Sequence, residues 1–307
     1  MDVLRKTTGW LLVLAAIAGV HCALPKRVMA QDRLNVYVVN YPLKYFAETI
    51  GGPYVTARLP IPRDVDPAYW QPNVEEIGAY QKADLILLNG AGYARWVNNV
   101  SLPRSKTVNT SRAFKDRYIT TSEITTHSHG AGGEHAHEAL AFTTWLDLSL
   151  AAQQAQAIYQ VFLKKLPDRK AELFTNYTKL EKDLLALDHR LKTIVAPNPS
   201  MPLLFSHPVY DYMISRYTLN GRSLHWEPDK IPTEDQMNAL QRMRDEHPAR
   251  WFIWEGKPLD RAVDKLKAAG IKSVVFNPCG NMPSSGDFML VMHQNIKNIE
   301  LSFKNQN

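Results

Sequence analysis

From Asp168 to about Ala196 the chain repeats apolar residues at alternating spacings of four and three: Leu173, Tyr177, Leu180, Leu184, Leu187, Leu191 and Ile194. Such spacing draws one apolar stripe along a helix, with Lys, Glu, Asp and Arg on its other faces. Pro167 ends the preceding segment, Asp168 is a candidate N-cap, and Pro197 and Pro199 stop the far end. At 1.5 Å per residue this helix would run roughly 40 Å. Segments of alternating strand and helix flank it on both sides, so it reads as a spine joining two lobes and belonging to neither core. A coiled coil is the other reading, but only about four heptads exist and no second such stripe occurs.

A chain of 307 residues accommodates two domains. The expected division is a signal peptide at 1–30, a first lobe at 31–167, the linking helix at 168–196 and a second lobe at 197–307. Arg5 and Lys6 precede an apolar run from Trp10 to Val20, and Val28-Met29-Ala30 offers small residues for cleavage. That is the pattern of a secretory leader, with a run too short for a membrane span. Cys22 raises lipid anchoring as an alternative, although His21 stands where a small residue is wanted. The leader carries four basic residues and one acid, so its removal lowers the net charge of +6 by three. No basic patch with interleaved aromatics remains, which argues against nucleic acid. Cleavage at Ala30 would leave Cys279 as the single cysteine, excluding an internal disulfide.

In the first lobe, Leu34 to Val39, Val55 to Leu59 and Ala83 to Leu88 read as strands, with helices at Tyr41 to Ile50 and Glu75 to Gln81. Short strands separated by helices imply an α/β architecture with parallel sheet, whose ligands collect at the strands' carboxyl ends. The pattern breaks between residues 125 and 142. There His127, His129, His135 and His137 fall within eleven residues, flanked by Glu134 and Glu138 and hinged on glycine. Imidazole is the commonest metal ligand at neutral pH, and two H-x-H pairs can wrap one cation. Such a loop loses ordering entropy on binding, so weak, exchanging contact is expected of it.

In the second lobe, Pro202 to Phe205 is a strand with His207 at its carboxyl end. Arg250 to Trp254 is another, ending at Glu255, and Lys272 to Phe276 a third, ending at Asn277 with Cys279 nearby. Imidazole, carboxylate, and an amide or thiol at successive strand ends are of the type that holds a divalent metal. A core or capping role for His207 fits the spacing equally well. Thr233 is a plausible cap for a further helix, and Phe288 to Phe303 closes the chain as an amphipathic helix.

Several stretches together resemble the zinc/manganese-specific family of substrate-binding proteins of ABC transporters. They are VVNYPLKYFAETIGG, VDPAYWQPNVEEIGAYQKADLILLNGAGYARW, TTWLDLSLAAQQA, SHPVYDYMISRY and FIWEGKPLDRAVDKLKAAGIKSVVFNPCG. The similarity runs over essentially all of the chain after the leader. It implies two Rossmann-like lobes of parallel sheet with flanking helices, bridged by one long rigid helix. It also implies a divalent ion held between the lobes and passed to a membrane permease by a protein that closes little. The family's first ligand histidine follows an acid and a proline, where this chain has Asp66-Pro67-Ala68. Its second lies two residues before a tryptophan, where Thr143 precedes Trp145. The third corresponds to His207, and the acidic positions to Glu255, which is retained, and Asn277, which is not a carboxylate.

Two ligands do not close a four-coordinate zinc shell. Either His135 or His137 swings into the vacated half and joins His207 and Glu255, with water or Cys279 as a further partner, or the cleft takes an organic ligand or metal chelate. Tyr69, Trp70 and Trp145 beside the lost positions would suit the latter. The expected function is therefore a monomeric, extracytoplasmic carrier that binds zinc and serves an ABC permease, since manganese would want more oxygen ligands. A metal chaperone or buffer using only the loop is the rival. No residue pair forms a recognisable nucleophile and base, so an enzyme is not expected.

Overall fold

The computed structural model describes residues 33–125 and 137–304. It opens with β1 (Leu34–Val38), α1 (Tyr41–Gly51), β2 (Val55–Arg58), α2 (Val74–Lys82), β3 (Leu85–Leu88) and β4 (Thr107–Asn109). A hairpin of β5 (Thr120–Thr125) and β6 (His137–Leu140) follows, then α3 (Leu148–Lys165) and the long α4 (Lys170–Val195). The second half runs β7 (Pro202–Phe205), α5 (Asp211–Tyr217), β8 (Asn220–Ser223), α6 (Glu234–Glu246), β9 (Trp251–Trp254), α7 (Asp260–Ala268), β10 (Lys272–Val275) and α8 (Phe288–Lys304). Two four-stranded sheets result, ordered β2-β1-β3-β4 and β10-β9-β7-β8, and every pairing within them is parallel. Parallel pairing requires crossovers, which the α-helices supply within each sheet except between β3 and β4, where 3₁₀ turns at Arg95–Asn99 and Arg104–Lys106 make the connection.

Local chemistry sets the boundaries. Asn40 caps α1 by accepting the Leu43 N–H, and Asn73 and Glu76 form a reciprocal capping box on α2. Thr233 and Gln236 do the same for α6. Asp168 is not the cap of the long helix. It lies in a 3₁₀ turn at Pro167–Arg169, and α4 begins one residue after Arg169 without a side-chain cap. The buried stripe also ends at Val195, with Ile194 only partly covered. A step of four from Leu191 keeps the face aligned at 3.6 residues per turn, and a step of three drifts off it.

The long helix is not a spine outside the cores. Leu173, Leu180, Leu184, Leu187 and Leu191 are each at most 2% exposed, and they belong to one apolar cluster. That cluster runs from Val36 and Phe46 through α3 to Phe205, Ile253 and Ile299. A smaller cluster, with Trp226, Leu240, Phe252 and Trp254, fills the far side of the second sheet. Polar ties reinforce the junction. Arg216 on α5 donates to both Asp188 oxygens, at 2.9 and 2.8 Å, and sits 3.3 Å from Asp147, which caps α3. Tyr217 and Lys192 complete the shell around Asp188. Burial alone would raise this carboxyl, but the donors of Arg216 and Lys192 hold it below the usual carboxylate range.

Leu184→Ala should cost about 2–5 kcal/mol by opening a cavity where both halves meet, read by denaturant unfolding. Asp188→Asn should cost about 3 kcal/mol by leaving Arg216 incompletely paired. Because the folded pKa is depressed, the Asp188 contribution is complete above the unfolded value of about 3.9 and fades as pH falls through the folded one. The gap between wild type and Asp188→Asn should therefore narrow on acidification.

Candidate metal centre

The carboxyl ends of β7, β8 and β9 lie side by side because the strands run parallel and in adjacent register. Ser206 follows β7 and accepts the Glu255 N–H on its hydroxyl at 3.0 Å, tying the ends of β7 and β9 together. His207 then faces Glu255, with Nδ1 3.1 Å from Oε1. That Nδ1 is buried, yet the pair is not aligned as a hydrogen bond. The opposite nitrogen, Nε2, lies 3.5 Å from Glu227 Oε1. The ligand atoms of His207, Glu227 and Glu255 all fall within 4.8 Å of one another, which makes this a group able to hold a metal ion. The ring of His225 stands edge-on to His207 with centroids 5.8 Å apart. Glu255 beside it raises the His207 pKa above the ordinary histidine value, against the opposing pull of burial.

His207 and Glu255 thus meet as their strand ends suggested, whereas Glu227 and His225 were not anticipated. They follow a polar strand, Asn-Gly-Arg-Ser, that carries no apolar signature. The available signal was the alternation His225-Trp226-Glu227. Trp226 is buried, and the residues on either side are exposed. The ladder continues past β8, since Leu224 N–H donates to Phe205 O and Trp226 N–H to Ser206 O, each at 2.8 Å.

Asn277 and Cys279 play a different part. The Asn277 side chain accepts the Cys279 N–H at 2.7 Å, closing a turn in which Cys279 adopts a positive φ of 58°. Burial pushes the Cys279 thiol up to about 12, so in the metal-free protein it stays protonated at neutral pH.

Across the cleft, the two substituted positions are packed away. Ala68 is buried and its N–H donates to Asp66 Oδ1 at 2.9 Å. Thr143 uses its hydroxyl to reach Val209 O at 2.5 Å, so this side chain ties the lobes together. Trp145 likewise donates to Pro278 O at 2.7 Å, while Trp70 packs edge-on against Trp96 within the first lobe. Tyr69 is 56% exposed beneath the Arg95 guanidinium. Asp66 faces the cluster from this side. Burial raises its carboxyl first, Glu255 and Glu227 add to the rise, and the Ala68 N–H and His207 oppose it.

Two adjoining cavities share Asp66, Phe142, Thr143, Val209 and Glu255. The larger, about 430 Å³, reaches His207, His225 and Glu227, and the smaller, about 290 Å³, reaches Tyr93, Trp145 and Cys279. Thr121 and Leu140, at the base of the β5–β6 hairpin, line the larger one. Of the loop histidines, His127, His129 and His135 lie outside the described residues, and His137 is described only as the backbone start of β6.

The model of the family described as periplasmic zinc-uptake complex component A matches residues 36–301. The manganese ABC transporter substrate-binding lipoprotein scaA of Streptococcus gordonii is 27% identical over 244 residues, 75% of each chain. The metal ABC transporter substrate-binding lipoprotein SloC of Streptococcus mutans is 23% identical over 262 residues, 81% of this chain and 82% of its own. Among solved structures, the metal-dependent lipoprotein YcdH from Bacillus subtilis superposes with a TM-score of 0.75 at 21% identity, covering 87% of this chain and 98% of that one. The Zn(II)-bound ZnuA-like domain of Streptococcus pneumoniae AdcA gives 0.75 at 18% identity, covering 89% and 100%. At these identities the solved structures speak for the fold.

A carboxylate that raises a histidine pKa stabilises the fold fully below the unfolded value of about 6.5, and the benefit is lost as pH rises through the folded value. In NMR of the metal-free protein, His207 should titrate above 6.5, and Glu255→Gln should move its midpoint downward. An unchanged midpoint would remove Glu255 as the cause.

Proposed function

Since the chain belongs to the family of the periplasmic zinc-uptake component A, we propose that it is a monomeric extracytoplasmic carrier that binds a divalent cation between its lobes and hands it to an ABC permease. The family consists of binding proteins for transport, not enzymes. Zinc is the proposed cargo, because imidazole is its favoured nitrogen donor, although a manganese transporter protein stands among the relatives. One observation carries the reading: an imidazole and a carboxylate from separate strand ends, 3.1 Å apart on the cleft wall. His207 and Glu255 are the proposed seat of the ion. His127, His129, His135 and His137 are proposed to gather ions and pass them inward, the hairpin that carries them being rooted at the cavity lined by Thr121 and Leu140. Export by the N-terminal leader belongs to the same proposal. Because relatives are lipoproteins, Cys22 competes with Ala30 as the start of the mature chain.

A second reading, in which the ion travels with an organic partner, draws support from the cavity walled by Tyr93, Phe142 and Trp145. Native mass spectrometry of protein purified without chelators distinguishes the two, since a chelate adds organic mass to that of the metal.

Calorimetric titration of the metal-free chain with Zn²⁺ and Mn²⁺ tests the main proposal. Deleting residues 127–137 should remove weak sites and leave the tight one. His207→Ala should weaken the tight site by more than the roughly 10–100-fold typical of outer-shell changes. Equal stoichiometry and strength in wild type and His207→Ala would refute a cleft metal site.

A further inference from the structure

The first lobe contributes Ala68 and Thr143 where ligands would be needed, and both are buried in other contacts. Resting on the metal-carrier reading above, we propose that Glu227 completes the ion's protein shell with His207 and Glu255, with His225 beside it, so that the cation is seated on the second lobe alone.

The placement of Glu227 is built by the fold. Continued pairing with Phe205 and Ser206 carries the chain past β8 to the level of His207. Trp226 is 4% exposed and packs on Phe252 and Trp254. Its burial turns its two neighbours away from the core, toward the cavity that His207 and Glu255 also line. The imidazole consequently stands between two carboxylates, 3.1 Å from one and 3.5 Å from the other. Donor atoms bound to one zinc at about 2.0–2.2 Å lie nearer to each other than the 4.8 Å limit of this group. One ion binds through one ring nitrogen, so Glu227, which faces Nε2 and is 46% exposed, turns toward the Nδ1 side where Glu255 lies.

One nitrogen and two oxygen donors make a three-ligand site, which keeps a coordination position open. Water or His225 can take that position, so ions can enter and leave by ligand exchange. Asp66, on the opposite wall, adds negative charge without supplying a histidine in place of Ala68. An exposed glutamate near a histidine can also be a plain surface ion pair worth little, and metal binding separates that case from a ligand.

The test uses the full chain with His127, His129, His135 and His137 replaced by Asn, so that metal signals report the cleft. Zn²⁺ affinity by competition and the Co²⁺ absorption spectrum are compared for this parent and for Glu227→Gln, Glu227→Asp and His207→Ala. Glu227→Gln should lose tenfold or more in affinity and shift the Co²⁺ bands, and Glu227→Asp should recover part of the loss. If His207→Ala abolishes binding while Glu227→Gln matches the parent in affinity and spectrum, this inference is overturned and the carrier reading stands. If His207→Ala also matches the parent, the cleft site itself is wrong.

Discussion

One helix face shared by two sheets governs this structure. Leu173, Leu180, Leu184, Leu187 and Leu191 of α4, with Tyr177 and Val195, are buried in a single apolar cluster with strands from both halves. Sliding or hinging one half would pull that face out of contact along much of its length, and packed interiors resist such displacement. Arg216 reinforces the arrangement, since its guanidinium contacts Asp188 on α4 and Asp147 at the head of α3. The cleft is therefore bounded by walls held at a set spacing, and its chemistry depends on which side chains the strand ends place there.

Parallel sheets bring those ends to one edge, and the second sheet uses the opportunity fully. Ser206 links two neighbouring strand ends through its hydroxyl, which sets His207 opposite Glu255. The first lobe uses its corresponding positions for cohesion. Thr143 reaches Val209, Trp145 reaches Pro278, and the Tyr41 N–H reaches Gly280 O across the cleft. Where the family resemblance leads one to expect two ligands, the chain has hydrogen bonds between lobes and a small buried methyl group. The division of labour between the walls is unequal: one gathers imidazole and carboxylate groups, the other braces.

Much of this was legible in the sequence because it rests on periodicity. The stripe of α4, the apolar strands β1, β3, β7 and β9, and the cap at Thr233 each follow from local patterns. β4 and β8 escaped notice because Thr-Val-Asn and Asn-Gly-Arg-Ser carry too little apolar content to announce edge strands. Gly221 on β8 is explained only by three-dimensional contact, since a Cβ there would lie 2.5 Å from the Phe205 ring. Glu227 and His225 were hidden for the same reason as β8, because their facing depends on a strand that propensity does not reveal. The metal role of His207 was an even choice on spacing, and what the fold adds is that Glu255 lies 3.1 Å from its ring. The helix was expected to stand apart from both cores because amphipathicity tells which face is buried and says nothing of what covers it.

Cys279, the free cysteine among the described residues, lines the smaller cavity and is 2% exposed. With its thiol pushed up to about 12, almost none of it is thiolate near neutrality, and thiolate is the reactive form. Burial and protonation together shield this sulfur, so alkylating reagents should label it slowly, and a change in that rate reports a change in how the cavity wall covers it.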